Sequence, residues 1–495
     1  MGPSKLSDHV FKKGKFITPL NSIPYMKAFS DDESWPYGRM PEYLWIGLIL
    51  KHFGREIGFR KLNDITSKLH KLAPTLNTIR MSQILKLDAD TQRDLYSYIV
   101  SIGAKEVLAP LTVFLTASYA DVFAEAFYCS NLSVENRCNT LVETMRGIMD
   151  QHSHRSTDIR FVAIYFYILS GKLQIRKEDA ERIMLYPNTN HDDEIMRVIR
   201  PMVRSLESTI ISIEISDSKY IKDFWRCVSE MTDCDMFWAN FPEEKRDVTA
   251  YMQKLHDVFS YLLDLFLAAD PLDDKMSVLL GIATYSYKRL KEAYDHKLFN
   301  SISGRSCIRS LIENFIMMKY LVKNENEQAH INIWQDYQIY GIGAYKLALA
   351  RHREVESGRR DDCQFDVGYI EILVNEFKYE ETIDMDTKYF DNTITIRKKA
   401  ESVDEKDLYG LYFDYDSSFE HGLWGAIRES SLLKCNNPAH KYHCVPDIED
   451  NIRLKSVLPD CIMVMNKTIS YLHDIYGIPE QLLSEVINFE PKSDA

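Results

Sequence analysis

Helical periodicity constrains the fold of this chain more than any other feature of its sequence. Apolar residues recur at every third or fourth position over long stretches, which is typical of helices with one buried face. The 495 residues contain only 19 glycines and 16 prolines, the residues that helix interiors tolerate least. Because 45% of the residues are hydrophobic, the chain can fill more than one core. We therefore predict an all-α fold with two helical domains.

The helical pattern breaks over 235–246, where Pro242 lies in a polar stretch that is the best candidate for a domain boundary. We predict an N-terminal helical domain over 18–235, which senses a signal or docks a partner protein, and a C-terminal helical domain over 245–490. A helix is expected to start at Pro41. The other predicted helices cover 89–100, 107–125, 134–150, 158–169, 177–184, 193–205, 248–269, 276–299, 303–323, 327–353, 407–420 with helix again to 433, and 458–476.

Two segments are less regular. Residues 208–216 are rich in β-branched side chains, which favour strands, but their flanks are helical, and we assign them to a helical continuation. Residues 355–407 mix charged clusters with the alternating sequence Thr393-Ile394-Thr395-Ile396, which predicts either a short strand or a mobile loop.

Charge and cysteine content bear on the partners and the compartment. The net charge of −13 opposes non-specific binding to nucleic acid or to anionic membranes. The sequence has no uninterrupted apolar run long enough to span a bilayer, and its first residues lack the apolar stretch of a secretory signal. Nine scattered cysteines, an odd number, fit a reducing compartment. We expect a cytoplasmic protein that does not bind membranes.

A first row of polar residues lies on the helix predicted at 303–323. Arg305, Arg309 and Glu313 are spaced four residues apart, so at about 100° per residue they fall within an arc of about 80°. Polar groups in such a row usually face something specific. The alternative is a surface ladder in which Glu313 pairs with Arg309, a contact worth about 0.2 to 0.5 kcal/mol.

A second row follows about a hundred residues later, with a hydroxyl, an imidazole, an indole and a guanidinium along one predicted helix face. These residues are Ser417, His421, Trp424 and Arg428. Gly422 inside the helix costs about 1 kcal/mol relative to alanine, which indicates a close approach or a kink there. The alternative places His421 and Trp424 in the core as packing residues. We predict that the helices carrying the two rows lie against each other.

The two rows together resemble a known group of proteins. The motifs are Arg309-Ser310-Leu311-Ile312-Glu313 and a later Tyr-x-Ser-Ser-x-x-His-Gly formed by Tyr415, Ser417, Ser418, His421 and Gly422. This pairing resembles a broad group of uncharacterised bacterial all-helical proteins, similar in turn to the HEPN superfamily, and covers roughly 276–433. Many HEPN proteins are metal-independent ribonucleases of phage-defence and toxin systems, and they often form homodimers.

The resemblance implies a HEPN-like C-terminal bundle and an endoribonuclease that acts as a bacterial defence or toxin effector without a cofactor. His421 would then be general base or acid toward a ribose 2′-hydroxyl, with Arg305 or Arg309 stabilising the transition-state charge. Glu313 would orient an arginine or the imidazole. The residues expected to contact RNA or a nucleotide are Ser417, Trp424 and Arg428. Catalytic HEPN proteins also carry an arginine four to six residues before the histidine, and 414–420 contains none.

Two further interpretations remain open at the level of sequence. In one, the protein is a non-catalytic helical binding or scaffold protein, and the two rows form a buried network of arginine, glutamate and histidine that fixes helix register. In the other, Arg305 and Arg309 hold a small anionic ligand or nucleotide.

A candidate metal cluster follows the second row. Cys435, His440, His443 and Cys444 offer two thiolates and two imidazoles, the ligand set of tetrahedral zinc. The usual short spacing between paired cysteines is absent, and Asn436-Asn437-Pro438 is typical of an ordinary turn. The sequence therefore favours loop residues that pack on the preceding helix over a zinc site.

Overall fold

The computed structural model describes residues 5–19, 34–116, 118–173, 175–211, 217–269, 272–355, 364–385, 390–391 and 393–489. Helices dominate these residues and strands are short, which confirms the predicted all-α class. The chain divides into two compact units: Met1–Phe237 with Lys434–Cys444, and Trp238–Leu433 with Val445–Ala495. Residues Lys434–Cys444, which lie inside the predicted C-terminal range, thus belong to the first unit.

The first unit packs its helices around one hydrophobic core. Its helices are α1 (Met40–Leu72), α2 (Met81–Ile84), α3 (Ala89–Ser101), α4 (Lys105–Leu108), α5 (Asp121–Phe127), α6 (Val134–Ile148), α7 (His154–Leu169), α8 (Lys177–Met184), α9 (Met196–Ile211) and α10 (Ser218–Glu230). The nearly all-apolar start of α1 is buried through Ile49, and α1 lies against α6 and α7. A helix at the surface buries only one face and leaves the other exposed. Because the start of α1 is buried on all sides, α1 is the central helix of the unit.

The second unit has a separate core built around α13. Its helices are α11 (Thr249–Ala268), α12 (Asp274–Asp295), α13 (Ile302–Asn324), α14 (Ile333–Glu354), α15 (Val367–Phe377), α16 (Ile396–Ser402), α17 (Lys406–Leu408), α18 (Asp414–Glu420), α19 (Trp424–Ser430), α20 (Leu458–Tyr476) and α21 (Glu480–Ile487). Helix α13 contacts α12, α18 and α20. Because three helices cover α13, most of its side chains are buried, including polar ones.

Short strands complete the two units. The pair β1 (Val10–Lys12) and β2 (Lys15–Ile17) is antiparallel. The strands β3 (Met236–Phe237), β4 (Leu432–Cys435) and β5 (Cys444–Pro446) form a sheet in the order β3-β4-β5. In β3 and β4, which are antiparallel, Met236 lies opposite Cys435. Among the residues that the structure describes, no helix combines the length and apolar character that a bilayer crossing requires.

Local structure differs from the sequence prediction at 107–125 and 393–396, and it agrees with the prediction over the described part of 208–216. The helix predicted at 107–125 is broken: α4 ends at Leu108, a tight turn containing Pro110 follows, and α5 begins at Asp121. Pro110 has no N–H to continue the helical hydrogen bonds. Residues 393–396 form no strand, because the Thr395 side chain accepts a hydrogen bond from the Lys398 N–H and caps α16. Of the predicted continuation at 208–216, α9 reaches Ile211, and 212–216 lie outside the described residues.

Candidate functional site

The first polar row lies on α13, as its spacing required. Ser301 caps this helix by accepting a hydrogen bond from the Gly304 N–H at 3.3 Å. A side chain at position 304 would overlap the carbonyl oxygen of Leu298, so glycine lets the start of α13 pack directly on the preceding turn. Arg305, one residue on, is 7% exposed. The row therefore begins inside the protein and is not a surface ladder.

Helix α18 lies against α13, as the two rows predicted. The Arg309 Nε donates a hydrogen bond to the Ser417 Oγ at 3.0 Å, and the hydroxyl of Ser306 donates to the Glu420 carboxylate. Arg309 also pairs with Glu313, at 3.4 Å between Nη1 and Oε2. The structure thus brings Arg309, Glu313 and Ser417 together.

Asp416, which belongs to neither predicted row, completes this group. Its side chain lies 3.7 Å from the Arg305 guanidinium, measured from Oδ1 to Nη1, and the residue is 1% exposed. The Arg305 Nη2 also donates to the Lys455 carbonyl oxygen at 2.8 Å. We call Arg305, Arg309, Glu313, Asp416 and Ser417 the buried polar network.

Aromatic rings enclose both arginines of the buried polar network. The Arg305 guanidinium lies over Tyr415 and Phe419, with its carbon 5.3 Å and 5.7 Å from the ring centroids. The Arg309 guanidinium lies 4.8 Å from the Phe413 centroid. Such cation–π contacts contribute about 0.5 to 2 kcal/mol each and take the place of water around the charge. Both arginines are therefore already surrounded by groups of the protein.

Burial shifts the acid groups of the buried polar network toward their neutral forms. It raises the pKa of Asp416 to about 7, although the positive charge of Arg305 acts in the opposite direction. Burial also raises the pKa of Glu313, and the nearby Arg309 opposes this shift. The ionisation of Asp416 is thus coupled to folding near neutral pH.

The second polar row does not lie on one helix. Helix α18 ends at Glu420, and Gly422 adopts a left-handed conformation with φ of 55°. The Gly422 N–H donates to the Phe419 carbonyl and the Leu423 N–H to the Ser418 carbonyl, which is the Schellman arrangement that ends helices. A Cβ on Gly422 would meet nothing within 4 Å, so the glycine provides backbone conformation and no close approach. The chain then restarts as α19 at Trp424.

This break separates His421, Trp424 and Arg428 from the buried polar network. His421 is exposed, Trp424 is 63% exposed and Arg428 is half-buried. Among the described residues, the side chains of His421 and Arg428 have no hydrogen-bond or ion-pair partner. Leu423 and Ile427 are exposed beside them. We call His421, Leu423, Trp424, Ile427 and Arg428 the exposed corner.

The cysteine and histidine cluster differs from the predicted set by one residue. The ligand atoms of Cys234, Cys435, His440 and His443 all lie within 4.8 Å of one another. Cys444 is not in this group and is the first residue of β5. Cys234 replaces it, since β3 pairs with β4 and places residue 234 beside the loop. All four residues belong to the first unit.

The first unit contains a second polar group, which no sequence motif indicated. Asp158 is 4% exposed and accepts hydrogen bonds from the Arg55 Nε at 3.1 Å and the Tyr186 hydroxyl at 2.9 Å. The His191 Nε2 lies 3.4 Å from the Asp158 Oδ2, and its ring stacks on that of His154 at 4.4 Å. Burial and the neighbouring charges of His191 and Arg200 lower the pKa of His154. These side chains largely satisfy one another.

Sequence alone could have indicated Asp416 as a buried residue, but it could not have indicated Cys234 as part of the cluster. Asp416 lies three residues from Phe413 and from Phe419, both buried, so helical spacing alone places it on the apolar face of α18. Cys234 lies about 200 residues before Cys435, and no local pattern joins the two.

Comparison with known proteins adds one match. A family described as "Family of unknown function (DUF5677)" matches residues 278–440, which include both polar rows. The match agrees with the expected likeness to an uncharacterised family, and the likeness to HEPN proteins stays a prediction. No curated protein and no solved structure matches this chain.

Proposed function

We propose that this protein is a non-catalytic helical binding protein, whose second unit recognises a partner polypeptide through the exposed corner. The observation that supports this proposal is the separation of the two polar rows. The arginines of the first row are enclosed with Asp416, Glu313 and Ser417, whereas His421, Trp424 and Arg428 lie outside that enclosure. The first group stabilises the unit, and the second faces a partner.

The burial and the contacts of Arg305 and Arg309 support a scaffold role for the buried polar network. The side chains of Arg305 and Arg309 are 9% and 13% exposed, and each is already engaged by an acidic group and an aromatic ring. An incoming phosphate would have to displace these groups. The same contacts weigh against the interpretation in which Arg305 and Arg309 hold a small anionic ligand. Buried polar groups with defined partners can instead fix the register of packed helices.

The composition of the exposed corner supports a polypeptide as partner. Exposed Trp424 lies between Leu423 and Ile427, which are 55% and 37% exposed. Aliphatic side chains add little to the binding of nucleic acid, which depends on stacked rings and several cations. The net charge of −13 also disfavours binding to nucleic acid. Tryptophan and arginine together are enriched among the residues that dominate protein–protein affinity.

Trp424→Ala should weaken partner binding at least about 10-fold, which corresponds to about 1.4 kcal/mol, because the side chain would be buried by the partner. Trp238→Ala is the matched control, since Trp238 is 43% exposed and also belongs to the second unit. A photocrosslinking amino acid at position 423, which leaves Trp424 in place, or at the control position 238 of the full-length protein, in source cells, identifies the partner. Titration with the purified partner then gives the dissociation constants.

The proposal requires crosslinks that form from position 423 and an affinity that depends on the Trp424 indole. Equal crosslinking from positions 423 and 238, or an unchanged dissociation constant for Trp424→Ala, would contradict it.

A metal-independent ribonuclease of a defence or toxin system is the second candidate. It is favoured by one observation, the exposed imidazole of His421 without a side-chain partner among the described residues. Such an imidazole can exchange protons with a ribose hydroxyl. Trp424 would stack on a base and Arg428 would contact phosphate. A homodimer, which the likeness to HEPN proteins implies, would supply a second histidine from another copy of the chain.

Incubation of the purified full-length protein with total RNA at low ionic strength separates the two candidates. We expect the RNA to remain intact, because the five residues of the exposed corner include one histidine and both enclosed arginines are engaged. His421→Ala and the exposed control His256→Ala should behave like the wild type. Cleavage that is lost in His421→Ala and retained in His256→Ala would instead establish the ribonuclease.

A further inference from the structure

The thiol–imidazole cluster of Cys234, Cys435, His440 and His443 has the dimensions of a tetrahedral metal site. The Cys234 Sγ lies 3.5 Å from the Nδ1 atoms of both His440 and His443, and the Cys435 Sγ lies 3.3 Å from the His440 Nδ1. Zinc bonds of about 2.3 Å to sulfur and about 2.0 to 2.1 Å to nitrogen would place sulfur and nitrogen about 3.6 Å apart at a tetrahedral angle. The three distances agree with this geometry within a few tenths of an ångström.

The hydrogen bonds of His440 show which of its nitrogens faces the sulfurs as an acceptor. The His440 Nε2 lies 3.0 Å from the Thr232 carbonyl oxygen, which can only accept a hydrogen bond. Nε2 therefore carries the proton, and Nδ1 directs its lone pair toward Cys234 and Cys435. Histidine ligands of metal ions usually donate their other N–H to a carbonyl or carboxylate in this way.

Proton counting gives an independent argument. The Cys234 sulfur faces two imidazole nitrogens and can donate its one proton to only one of them, so without a metal ion the second contact needs the His443 Nδ1–H to donate to sulfur, which is a weak acceptor. The His440 Nδ1, for its part, faces two sulfurs with a single lone pair. A cation at the centre of the four atoms accepts a lone pair from each of them and satisfies all the contacts together.

Hydrogen bonds join the loop that carries Cys435, His440 and His443 to the segment that carries Cys234. The Asn436 N–H donates to the Asp235 carbonyl at 2.7 Å, and the Asn437 side-chain amide donates to the Asp233 carbonyl at 2.7 Å. Met236 lies opposite Cys435 in the antiparallel pair of β3 and β4. A cavity of about 770 Å³ borders Cys234, His440 and His443, so an ion can reach them from solvent. The geometry is therefore both preformed and accessible.

We propose that Cys234, Cys435, His440 and His443 bind one zinc ion that joins 434–444 to the chain after α10 within the first unit. On binding, each cysteine thiol releases its proton to solvent and the two imidazoles bind as neutral groups, so the complex of Zn²⁺ with two thiolates carries no net charge. Four protein ligands leave no open position, as in structural zinc sites. Two thiolates and two imidazoles in tetrahedral array select zinc over calcium and magnesium.

Metal analysis of the full-length protein, expressed without a histidine tag in zinc-supplemented medium, tests the site. Mass spectrometry of the metal should find one zinc ion per chain in the wild type and almost none in Cys234→Ser or His443→Asn. Cys444→Ser is the matched control and should retain the full amount, because Cys444 adjoins His443 but lies outside the cluster. Zinc retained in Cys234→Ser, or lost equally in Cys444→Ser, would overturn the assignment.

A measurement on the wild type alone covers the case in which the variants fail to fold. Cobalt added to the reduced, metal-free protein should give the intense visible bands of a tetrahedral ion and thiolate charge-transfer absorption, and zinc should displace both. A weak octahedral spectrum, no binding, or a disulfide between Cys234 and Cys435 in protein isolated under reducing conditions would each overturn the proposal.

Discussion

Replacing Arg305 with methionine should lower the free energy of unfolding of the second unit by about 3 to 5 kcal/mol near pH 8, where Asp416 is ionised. Methionine fills a similar volume but leaves the Asp416 carboxylate buried without its cation. The substitution also removes the hydrogen bond to the Lys455 carbonyl and the contacts with Tyr415 and Phe419. Urea unfolding followed by circular dichroism measures the loss.

Two further variants separate a charge effect from a packing effect. Arg428→Met, at a half-buried position without an ion-pair partner among the described residues, should change stability by no more than about 0.5 kcal/mol. The double variant Arg305→Met with Asp416→Leu should recover most of the loss, because no uncompensated charge remains. A loss below about 1 kcal/mol in Arg305→Met would mean that Arg305 does not stabilise the unit, contrary to the scaffold role of the buried polar network.

Asp416→Asn should remove a pH dependence of stability. Burial raises the pKa of Asp416 from 3.8 to about 7 in the folded protein. The neutral carboxyl of Asp416 therefore stabilises the folded state fully when the pH is below 3.8, its pKa in the unfolded chain. This stabilisation is lost as the pH rises through the pKa of about 7 in the folded protein. From these two pKa values, the wild type should lose about 2 to 3 kcal/mol between about pH 5 and about pH 8 through this group. The amide cannot ionise, so the variant should lack this loss.

The measurement is a series of urea unfolding curves across that pH range. Asp414→Asn is the matched control, because Asp414 lies on the same helix and is exposed, and it should keep the wild-type slope. Burial also raises the pKa of Glu42 in the first unit to about 7, so part of the slope remains in every variant. Equal slopes for the wild type and Asp416→Asn would show that Asp416 is already ionised at low pH.

Local sequence determined the helices and some of their ends. The helices α8 and α20 occupy the predicted ranges, because apolar residues at helical spacing and end-marking residues are short-range features. The same short-range order placed Arg305, Arg309 and Glu313 in one row on α13. It did not reveal that Gly422 ends α18, since a glycine after a helical pattern is compatible with both a kink and a stop.

Tertiary structure alone decided the environment of the chemically active groups. The first polar row is buried because α18 covers α13, and the second is divided because the chain turns at Gly422. Cys234 meets Cys435, His440 and His443 only after β3 pairs with β4. Periodicity fixes which side chains share a face over a few turns. Distances between segments far apart in the chain depend instead on how the whole set of helices packs.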